Sequence, residues 1–451
     1  MNSVDVVVVG AGLSGLVCAR RLAAAGVSVQ VVEARDRVGG RTEHGRLPDG
    51  QPIELGGQWI GPGQTRMYAL LEELGLSTFP TYDEGEHVLE FGGDRRTFTG
   101  DTPPLGGFGL ADLAASMARL HRQAGRVDPA APWTARHAQH LDARTFETWV
   151  ARHPTRAARS FWRLFARAVF ATEAANLSLL HVLTYVRQAG SVETLIDTTG
   201  GAQQDRVVGG TARIAELLAD QLDPSVRLDT PVRAIHTDDR GVDVESVDGE
   251  RLRGRQVVVA LPPTLAGRIA YHPALPADRD LLTQRVPMGA VIKLHLVYDR
   301  PWWREDGLSG QALSDGPVTQ VVFDNSPPDG SCGVLLAFIE GVDALRWGPA
   351  PAEERHAAVA ARLAGMIGPA AAHPVAVVER DWTTEPYSRG CYGGHLPPGV
   401  WTQLGPALRR PVGRIHWAGT EHATAWTGYL EGAVRSGEET AAAVLRSLRT
   451  D

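Results

Sequence analysis

The first 33 residues of this chain restrict it to a small group of folds. A run of valines ends at Val9 and leads at once into the glycine-rich turn Gly10-Ala11-Gly12-Leu13-Ser14-Gly15. Apolar residues at helical spacing follow, and Gly26 is expected to end that helix. A second valine-rich strand then ends at Glu33. Strand, glycines, helix, strand and acid in this order predict a parallel dinucleotide-binding unit.

Each part of this unit has a physical role in binding a dinucleotide. Gly10 and Gly12 let backbone N–H groups approach a pyrophosphate, which the N-terminus of the helix also attracts. Gly15 lets the helix pack closely against the strand. Glu33 is expected to accept hydrogen bonds from the adenosine ribose hydroxyls. This unit by itself leaves both NAD and FAD open as ligands.

Composition excludes several other classes of protein. With 43% hydrophobic and 22% charged residues among 451, the chain is neither disordered nor fibrous. A net charge of −7 predicts no general attraction to nucleic acid or to an anionic membrane. Three widely spaced cysteines form no disulfide or zinc pattern. No signal peptide precedes the first strand and no apolar run spans a bilayer, so we expect a cytoplasmic protein with small-molecule partners.

Three further segments extend the nucleotide site. Gly39-Gly40-Arg41-Thr42 follows the ribose acid, and the forked Arg41 cation is expected to clamp the pyrophosphate bidentately. The second glycine pair, Gly56-Gly57, would let backbone lie against a flat ring. Near the C-terminus, a strand ends in Gly419-Thr420-Glu421, which indicates either a contact to the ribityl-phosphate region or an ordinary strand-to-helix turn.

With these motifs in place, the sequence resembles the flavin-dependent amine oxidases over nearly the whole chain, specifically the soluble bacterial members of the monoamine oxidase branch. The resemblance implies FAD as the cofactor. It implies an α/β fold in which a Rossmann-like FAD-binding domain is assembled from three segments beside an α+β substrate-binding domain. The expected FAD-binding segments are 1–76, 205–285 and 383–451, and the expected substrate-domain segments are 77–204, which is helical, and 286–382, which forms a sheet.

The resemblance also assigns a cysteine and two tyrosines to the flavin ring. Cys391 matches the cysteine that forms a thioether with the flavin 8α-methyl, a bond that requires a thiolate. A buried, inert cysteine is the alternative, and the loop departs from the family pattern at Arg389 and at Gly393-Gly394. Tyr392 and Tyr429 match two rings that stand face to face before the flavin. Their slot would admit an amine, whose pKa desolvation must lower so that its lone pair is free.

A lysine completes the expected reaction centre. Alternation from Val291 to Leu296 places Lys293 and His295 on one face of a strand. The family counterpart of Lys293 holds a water against flavin N5 and stabilises superoxide-like charge as oxygen reacts. The alternative is a solvated lysine on an edge strand, and His295 is expected to be structural.

The resemblance thus implies three sets of site residues and no metal site. The catalytic set is Lys293, Tyr392 and Tyr429, and the substrate-binding set is Ile196, Gln203, Tyr392 and Tyr429. The cofactor-binding set is Gly10, Gly12, Ser14, Gly15, Glu33, Ala34, Arg35, Gly40, Arg41, Thr42, Gly56, Gly57, Gln58, Trp59, Val232, Trp382, Tyr387, Cys391, Gly419, Thr420, Glu421 and Tyr429.

The predicted activity is oxidation of an amine to an imine by FAD, with oxygen reduced to hydrogen peroxide and the imine hydrolysed to an aldehyde. An L-amino-acid oxidase on the same fold is one alternative, and it would need a buried arginine for the substrate carboxylate. A non-catalytic flavin-binding protein is another. Aromatic monoamines, diamines and secondary amines all remain open as substrates, and a homodimer is one oligomeric state that the sequence allows.

Overall fold

A computed structural model of the chain describes residues 3–100 and 102–450; Met1, Asn2, Asp101 and Asp451 lie outside these ranges. Its first large sheet has eight strands, all of them drawn from the three segments expected to bind FAD. In spatial order they are Val226–Arg227, Val29–Val32, Ser3–Val9, Arg251–Val259, Gly241–Ser246, Val232–Asp238 and Ala270–His272, with Ile415–Trp417 paired to Arg251–Val259.

The N-terminal unit folds as predicted. Ser3–Val9 pairs in parallel with Val29–Val32 on one side and with Arg251–Val259 on the other. The valines from Val6 to Val9 are buried, as expected of a parallel strand covered on both faces. The intervening helix is Leu13–Ala24, and Gly26 follows its end with φ +80°, a left-handed conformation that favours glycine.

The second large sheet has seven strands and includes the predicted strand Val291–Tyr298, which we call the lysine strand. This strand lies in the interior of the sheet between two antiparallel neighbours, and every one of its residues is buried. In order the strands are Ala376–Asp381, Val291–Tyr298, Gly333–Glu340, Val321–Asp324, Leu308–Ser314, Glu86–Phe91 and Asp94–Phe98. Two small sheets join His44–Arg46 to Pro52–Glu54, and Trp59–Ile60 through Asp205–Val207 to Thr78–Pro80.

Residues 141–185, in the segment 77–204 that was expected to be helical, form a layer of several helices whose apolar faces share one core. Three of these helices begin after a residue whose side chain accepts a backbone N–H of the first turn; these residues are Thr145, Thr155 and Ser178. The caps divide the stretch into separate helices. The α-helices of the described chain are Leu13–Ala24, Thr65–Glu73, Gly107–Ala124, Ala138–Asp142, Phe146–Val150, Arg156–Phe170, Leu179–Ala189, Val192–Ile196, Ala212–Asp220, Pro263–Ala266, Ala277–Gln284, Trp302–Glu305, Val342–Trp347, Ala352–Met366, Val400–Leu404 and Leu430–Leu448.

The first sheet has a parallel core with helices packed on it, and the second sheet is mostly antiparallel, with Leu308–Ser314 and Glu86–Phe91 paired in parallel. Together with the helical layer, these sheets make this an α/β fold of the predicted class. None of the helices in residues 3–100 and 102–450 is both long and apolar enough to cross a membrane.

Candidate active site

One cavity of about 720 Å³ extends from the glycine turn of the first sheet to the lysine strand and the helical layer. Its wall includes nearly all of the residues expected to bind cofactor or substrate. These are Gly10, Gly12, Ser14, Glu33, Ala34, Arg35, Gly40, Arg41, Thr42, Gly56, Gly57, Gln58, Trp59, Ile196, Gln203, Val232, Lys293, Trp382, Tyr387, Cys391, Tyr392, Gly419, Thr420 and Tyr429. Two expected residues, Gly15 and Glu421, lie behind this wall.

The glycine turn forms a cradle that accepts little added volume. A Cβ on Gly15 would lie 2.0 Å from the Gly10 carbonyl oxygen, so this glycine serves the packing of helix on strand rather than ligand contact. Ser14 lines the cavity in the first helical turn, and its buried Oγ has no hydrogen-bond partner among the described residues. An unpaired hydroxyl at a helix N-terminus suits a phosphate oxygen.

Glu33 has a second role beside the one expected. Its carboxylate accepts the backbone N–H of Ala11 at 2.8 Å and that of Arg35 at 3.1 Å. The acid at the end of the second strand therefore braces the glycine turn itself. It also lines the cavity, so ribose hydroxyls would share the same carboxylate.

Arg41 lines the cavity, and its guanidinium is already paired with protein groups. Its Nη1 and Nη2 donate to the two carboxylate oxygens of Glu421 at 2.6 and 3.1 Å, and Nη1 also donates to the Tyr392 carbonyl at 2.9 Å. Burial raises the pKa of Glu421, but the Arg41 charge together with hydrogen bonds from Arg41 and the Gly394 N–H holds the pKa below its usual value. The guanidinium fork is thus paired with a buried carboxylate, and it links the Gly39-Gly40 turn to the loop that carries Tyr392.

Lys293 is buried, with 3% of its surface exposed, and is the only lysine in the sequence. Its Nζ donates to the Gly56 carbonyl at 2.8 Å and to Oε1 of Gln58. Burial lowers the pKa of Lys293 to about 7, and the nearby Arg206 charge acts in the same direction while Glu54 opposes it. The ammonium therefore stands at the second glycine pair with two acceptors and one remaining N–H.

The two predicted tyrosines both line the cavity, and each packs against different aromatic rings. Tyr392 packs edge-on against Phe338, with ring centroids 6.1 Å apart. Tyr429 packs against Tyr185 at 6.1 Å and against Trp426 at 5.2 Å. Burial raises the pKa of both phenols, so both are uncharged at physiological pH. Uncharged aromatic walls make this part of the cavity a low-dielectric slot.

Cys391 lies beside these rings and is also buried. Burial raises the pKa of its thiol to about 12, against the charges of Arg41 and Lys293. A thiolate, which a thioether bond to flavin requires, is thus disfavoured in this environment without a base. The cysteine does stand where the sequence predicts it, on the cavity wall next to Tyr392.

Trp382, Tyr387 and Gln203, which were also predicted, differ in their exposure and in their hydrogen bonds. The indole Nε1 of Trp382 donates to the Leu55 carbonyl at 2.9 Å, which fixes a buried ring on the cavity wall. Tyr387 is 40% exposed and lies over the Arg35 guanidinium, toward the nucleotide end. Gln203 donates to the Leu195 carbonyl at 3.2 Å, and its buried Oε1 has no partner within the described chain.

The residues present fit FAD. Gly57 lines the cavity, and among the described residues a Cβ there would meet one atom within 4 Å, Leu430 Cδ2 at 3.8 Å, so its Cα faces the open cavity. Together with the Ser14 hydroxyl and the Glu33 carboxylate, this provides phosphate, ribose and ring contacts along one cavity. The glycine turn would hold the nucleotide end, and the lysine strand would stand by the ring end.

Some cavity residues carry no motif in the sequence. Tyr185 and Phe338 complete the aromatic walls, and Glu340 adds a buried carboxyl. Phe338 and Glu340 end the strand that pairs with the lysine strand, opposite Lys293 and Val291. In the sequence, Glu340 follows an apolar run and precedes a glycine, a pattern that does not identify a site residue. Only the pairing with the lysine strand places Glu340 on the cavity wall.

The fold and this cavity define a dinucleotide-dependent oxidoreductase. The chain belongs to the family of flavin containing amine oxidoreductases, whose model matches residues 13–445. It is 41% identical to the probable flavin-containing monoamine oxidase A of Dictyostelium discoideum over 96% of this chain and 95% of that protein. It is 38% identical to an L-amino acid dehydrogenase of Synechocystis, covering 98% and 95%. Wild-type putrescine oxidase bound to putrescine superposes with a TM-score of 0.95 at 36% identity, over 99% of both chains.

These findings confirm the predicted family, the amine oxidoreductase activity and FAD as the cofactor. The division into five domain segments, the roles of single residues and the electron acceptor stay predictions.

Proposed function

We propose that this protein oxidises an amine that carries no carboxylate, that oxygen is the electron acceptor and that hydrogen peroxide is released. The observation that carries the proposal is the convergence on one cavity of the glycine cradle, the buried Lys293 and the two tyrosines Tyr392 and Tyr429. The aromatic slot selects for slim apolar groups next to the reacting nitrogen. Family membership already establishes that the protein is a flavin-containing amine oxidoreductase.

Bound FAD would supply a hydride acceptor for the amine α-carbon and an electron donor for oxygen. The protein supplies orientation, exclusion of water and electrostatics. Tyr392 and Tyr429 are neutral and partly buried on the cavity wall, so a bound ammonium would lose hydration without gaining a counter-charge. The slot therefore favours the uncharged amine, whose lone pair is available. Lys293 keeps one N–H free beside the expected ring position to donate to a water or to reduced oxygen.

We further propose that the cavity-lining residues of the first sheet and of 383–451 hold FAD, with Ser14 at the phosphates and Glu33 at the ribose. Arg41 acts through its pair with Glu421, which positions the loop of Cys391 and Tyr392. We also propose that Cys391, once a base removes its proton, would form a thioether with the flavin 8α-methyl; the bond would replace the S–H and one methyl C–H, and the two electrons would pass through the flavin to oxygen. Ile196 and Gln203 belong to the substrate end of the cavity.

Oxidation of an L-amino acid is the second candidate, because a relative is an L-amino acid dehydrogenase. A substrate carboxylate needs a cation that the flavin site does not already use. The arginines on the cavity wall are Arg35, Arg41, Arg268 and Arg389, and all four come from the segments expected to bind FAD. Residues 77–100, 102–204 and 286–382 contribute no arginine to the wall, which favours an amine without a carboxylate.

A paired comparison tests this choice. Purified yellow protein is mixed anaerobically with a panel of amines, each matched with its α-carboxylated analogue, and flavin bleaching is recorded. We expect bleaching with the amine, little with the analogue, and stoichiometric peroxide when air is admitted. Faster bleaching with the carboxylated member of each pair would identify an amino-acid oxidase, and bleaching without peroxide in air would contradict oxygen as the acceptor.

A further inference from the structure

Glu340 is a buried carboxyl that the proposed reaction leaves without a role. It ends the strand Gly333–Glu340, where its register partner in the lysine strand is Val291. Two residues earlier, Phe338 is the partner of Lys293 and packs against the Tyr392 ring. Glu340 is 1% exposed and contributes to the cavity wall.

The carboxyl makes one hydrogen bond with a neighbouring side chain. Tyr392 Oη donates to Glu340 Oε1 at 2.8 Å, whereas Oε2 is buried and has no partner among the described residues. Tyr392 belongs to the loop that follows Cys391, far from Glu340 in sequence. This bond therefore ties one wall of the slot to the strand that also aligns with Lys293.

Within residues 3–100 and 102–450, the charges around Glu340 do not provide it with a counter-ion of its own. Arg167, on the helix Arg156–Phe170, pairs with Glu173 at 2.9 Å and with Asp343 at 3.7 Å. Tyr392 faces Glu340 directly and is neutral. Burial raises the pKa of Glu340 to about 8, against the Tyr392 hydrogen bond and the Arg167 charge, while Glu173 reinforces the shift. The carboxyl is thus uncharged at neutral pH and ionises in mildly alkaline solution.

We propose that Glu340 is a positioning residue of the amine slot, which fixes the Tyr392 ring through its hydrogen bond and keeps that wall uncharged in its protonated form. This inference rests on the proposed amine oxidation. A neutral carboxyl leaves the slot suited to an uncharged amine. An ionised Glu340 next to the phenol attracts the ammonium form, which has no free lone pair. Loss of the bond altogether would free the ring.

Four variants separate these effects. Glu340→Gln keeps an acceptor of the same shape but removes the ionisation. Glu340→Leu removes the acceptor, and Tyr392→Phe removes the donor while keeping the ring. Asp343→Asn is the matched control, because it removes a nearby carboxylate that contacts Arg167 but not Tyr392.

The first measurement is the rate of anaerobic flavin reduction at saturating amine, as a function of pH. In the parent we expect the rate to fall as pH rises through about 8, because Glu340 then loses its proton. Glu340→Gln should keep the parent rate at pH 6.5 to 7 and lose the alkaline fall, and Asp343→Asn should overlay the parent. An alkaline fall that persists unchanged in Glu340→Gln would overturn the proposal.

The second measurement tests the hydrogen bond. Near neutral pH, Glu340→Leu and Tyr392→Phe should each lower the reduction rate by about tenfold, and the double variant by no more than either alone, because both remove one bond. Effects that multiply would contradict a shared bond.

The third measurement needs no turnover. The infrared carbonyl band of a protonated carboxyl should titrate near pH 8 in the parent and be absent in Glu340→Gln. If no amine reduces the parent flavin, the proposed function fails. If the parent is reduced but its infrared band and pH profile match those of Glu340→Gln, only the role of Glu340 fails.

Discussion

A single lysine side chain in a sequence with 45 cationic residues is unusual, and its position inside the protein is informative. An ammonium buried in a strand interior loses hydration, which is why the pKa of Lys293 falls to about 7. Two oxygen acceptors, Gly56 O and Gln58 Oε1, compensate in part. A solvated lysine on an edge strand, the alternative at the level of sequence, does not describe this residue, because the lysine strand is interior and fully buried.

Lys293→Met should slow reoxidation of the reduced flavin by oxygen on the order of 100-fold, since a preorganised positive donor is removed. In the parent this rate should fall as pH rises through about 7, because the ammonium then loses its proton, and the variant should show no such fall. Stopped-flow mixing of reduced enzyme with oxygen measures both. Arg362→Met, which removes a cation paired with Glu90 away from the cavity, is the control, and an unchanged rate in Lys293→Met would refute the assigned role.

The same residue should couple stability to pH. The pKa of Lys293 is lower in the folded state than its ordinary value of 10.5, so between about pH 7 and 10.5 the unfolded chain binds more protons. The free energy of unfolding of the parent, relative to Lys293→Met, should therefore rise with pH across this window. Urea titrations of both proteins at pH 6 and pH 9 would show it, and a difference independent of pH would mean that the buried lysine stays as fully charged over this range as it is in the unfolded chain.

At the scale of elements, the two glycine segments have different tasks that the sequence pattern alone does not separate. Gly15 is packed against the Gly10 carbonyl, and Gly56 against the Arg41 carbonyl, where a Cβ would lie 2.0 and 2.1 Å away. Gly57 faces the cavity, and the nearest atom to its Cβ would be 3.8 Å away. The first two therefore hold elements together, and the third makes room for a ligand.

Gly15→Ala should destabilise the protein by about 1–3 kcal/mol, because the added methyl overpacks the helix against the turn. Gly57→Ala should leave the melting temperature of the apoprotein unchanged and weaken FAD binding, because the methyl occupies the expected ring space. Thermal melts and FAD titrations of the two apoproteins compare these effects. A Gly57→Ala protein that binds FAD as tightly as the parent would show that the ring lies elsewhere.

At the scale of the molecule, the cavity joins two sheets built from distant parts of the chain. Strands of the first sheet come from the N-terminus, the middle and the C-terminus, and the second sheet contributes the lysine strand. A ligand that fills such a cavity contacts both sheets. Binding to the folded state alone stabilises that state by mass action.

FAD should therefore act as a structural element of the whole molecule. We expect acid-denatured parent to retain its yellow colour on the polypeptide, and Cys391→Ser to lose it. Apoprotein prepared from Cys391→Ser should melt at a higher temperature when FAD is added, by an amount equivalent to about 4 kcal/mol when free FAD is about 1,000 times its Kd.

Filtration after acid treatment measures the retained colour, and calorimetry measures the melting temperature. The control is Cys332→Ser, which changes a half-buried cysteine away from the cavity. Colour that stays with Cys391→Ser would exclude the proposed thioether, and a melting temperature insensitive to FAD would exclude a cofactor site that spans the two sheets.

The N-terminal unit and the lysine strand could be predicted from local patterns. A valine run followed by a glycine turn is typical of a dinucleotide-binding unit, and strict alternation is typical of a strand. Contacts between distant segments do not appear in such patterns. The Gly-Gly-Arg-Thr motif predicts a cofactor role for Arg41, but it does not predict that the guanidinium pairs with Glu421, which lies 380 residues away. Glu340 carried no motif at all, and only pairing with the lysine strand and closure of the Tyr392 loop make it part of the slot.

The amino-acid sequence by itself determined the nucleotide-binding unit, the family and the side chains that carry charge or aromatic rings, since these depend on residue type and spacing. Tertiary structure alone decided which of those groups are buried together and which are already paired. The reason is physical: desolvation and hydrogen bonding act between neighbours in space, so the ionisation of Lys293 and Glu340 is set only once the two sheets meet around the cavity.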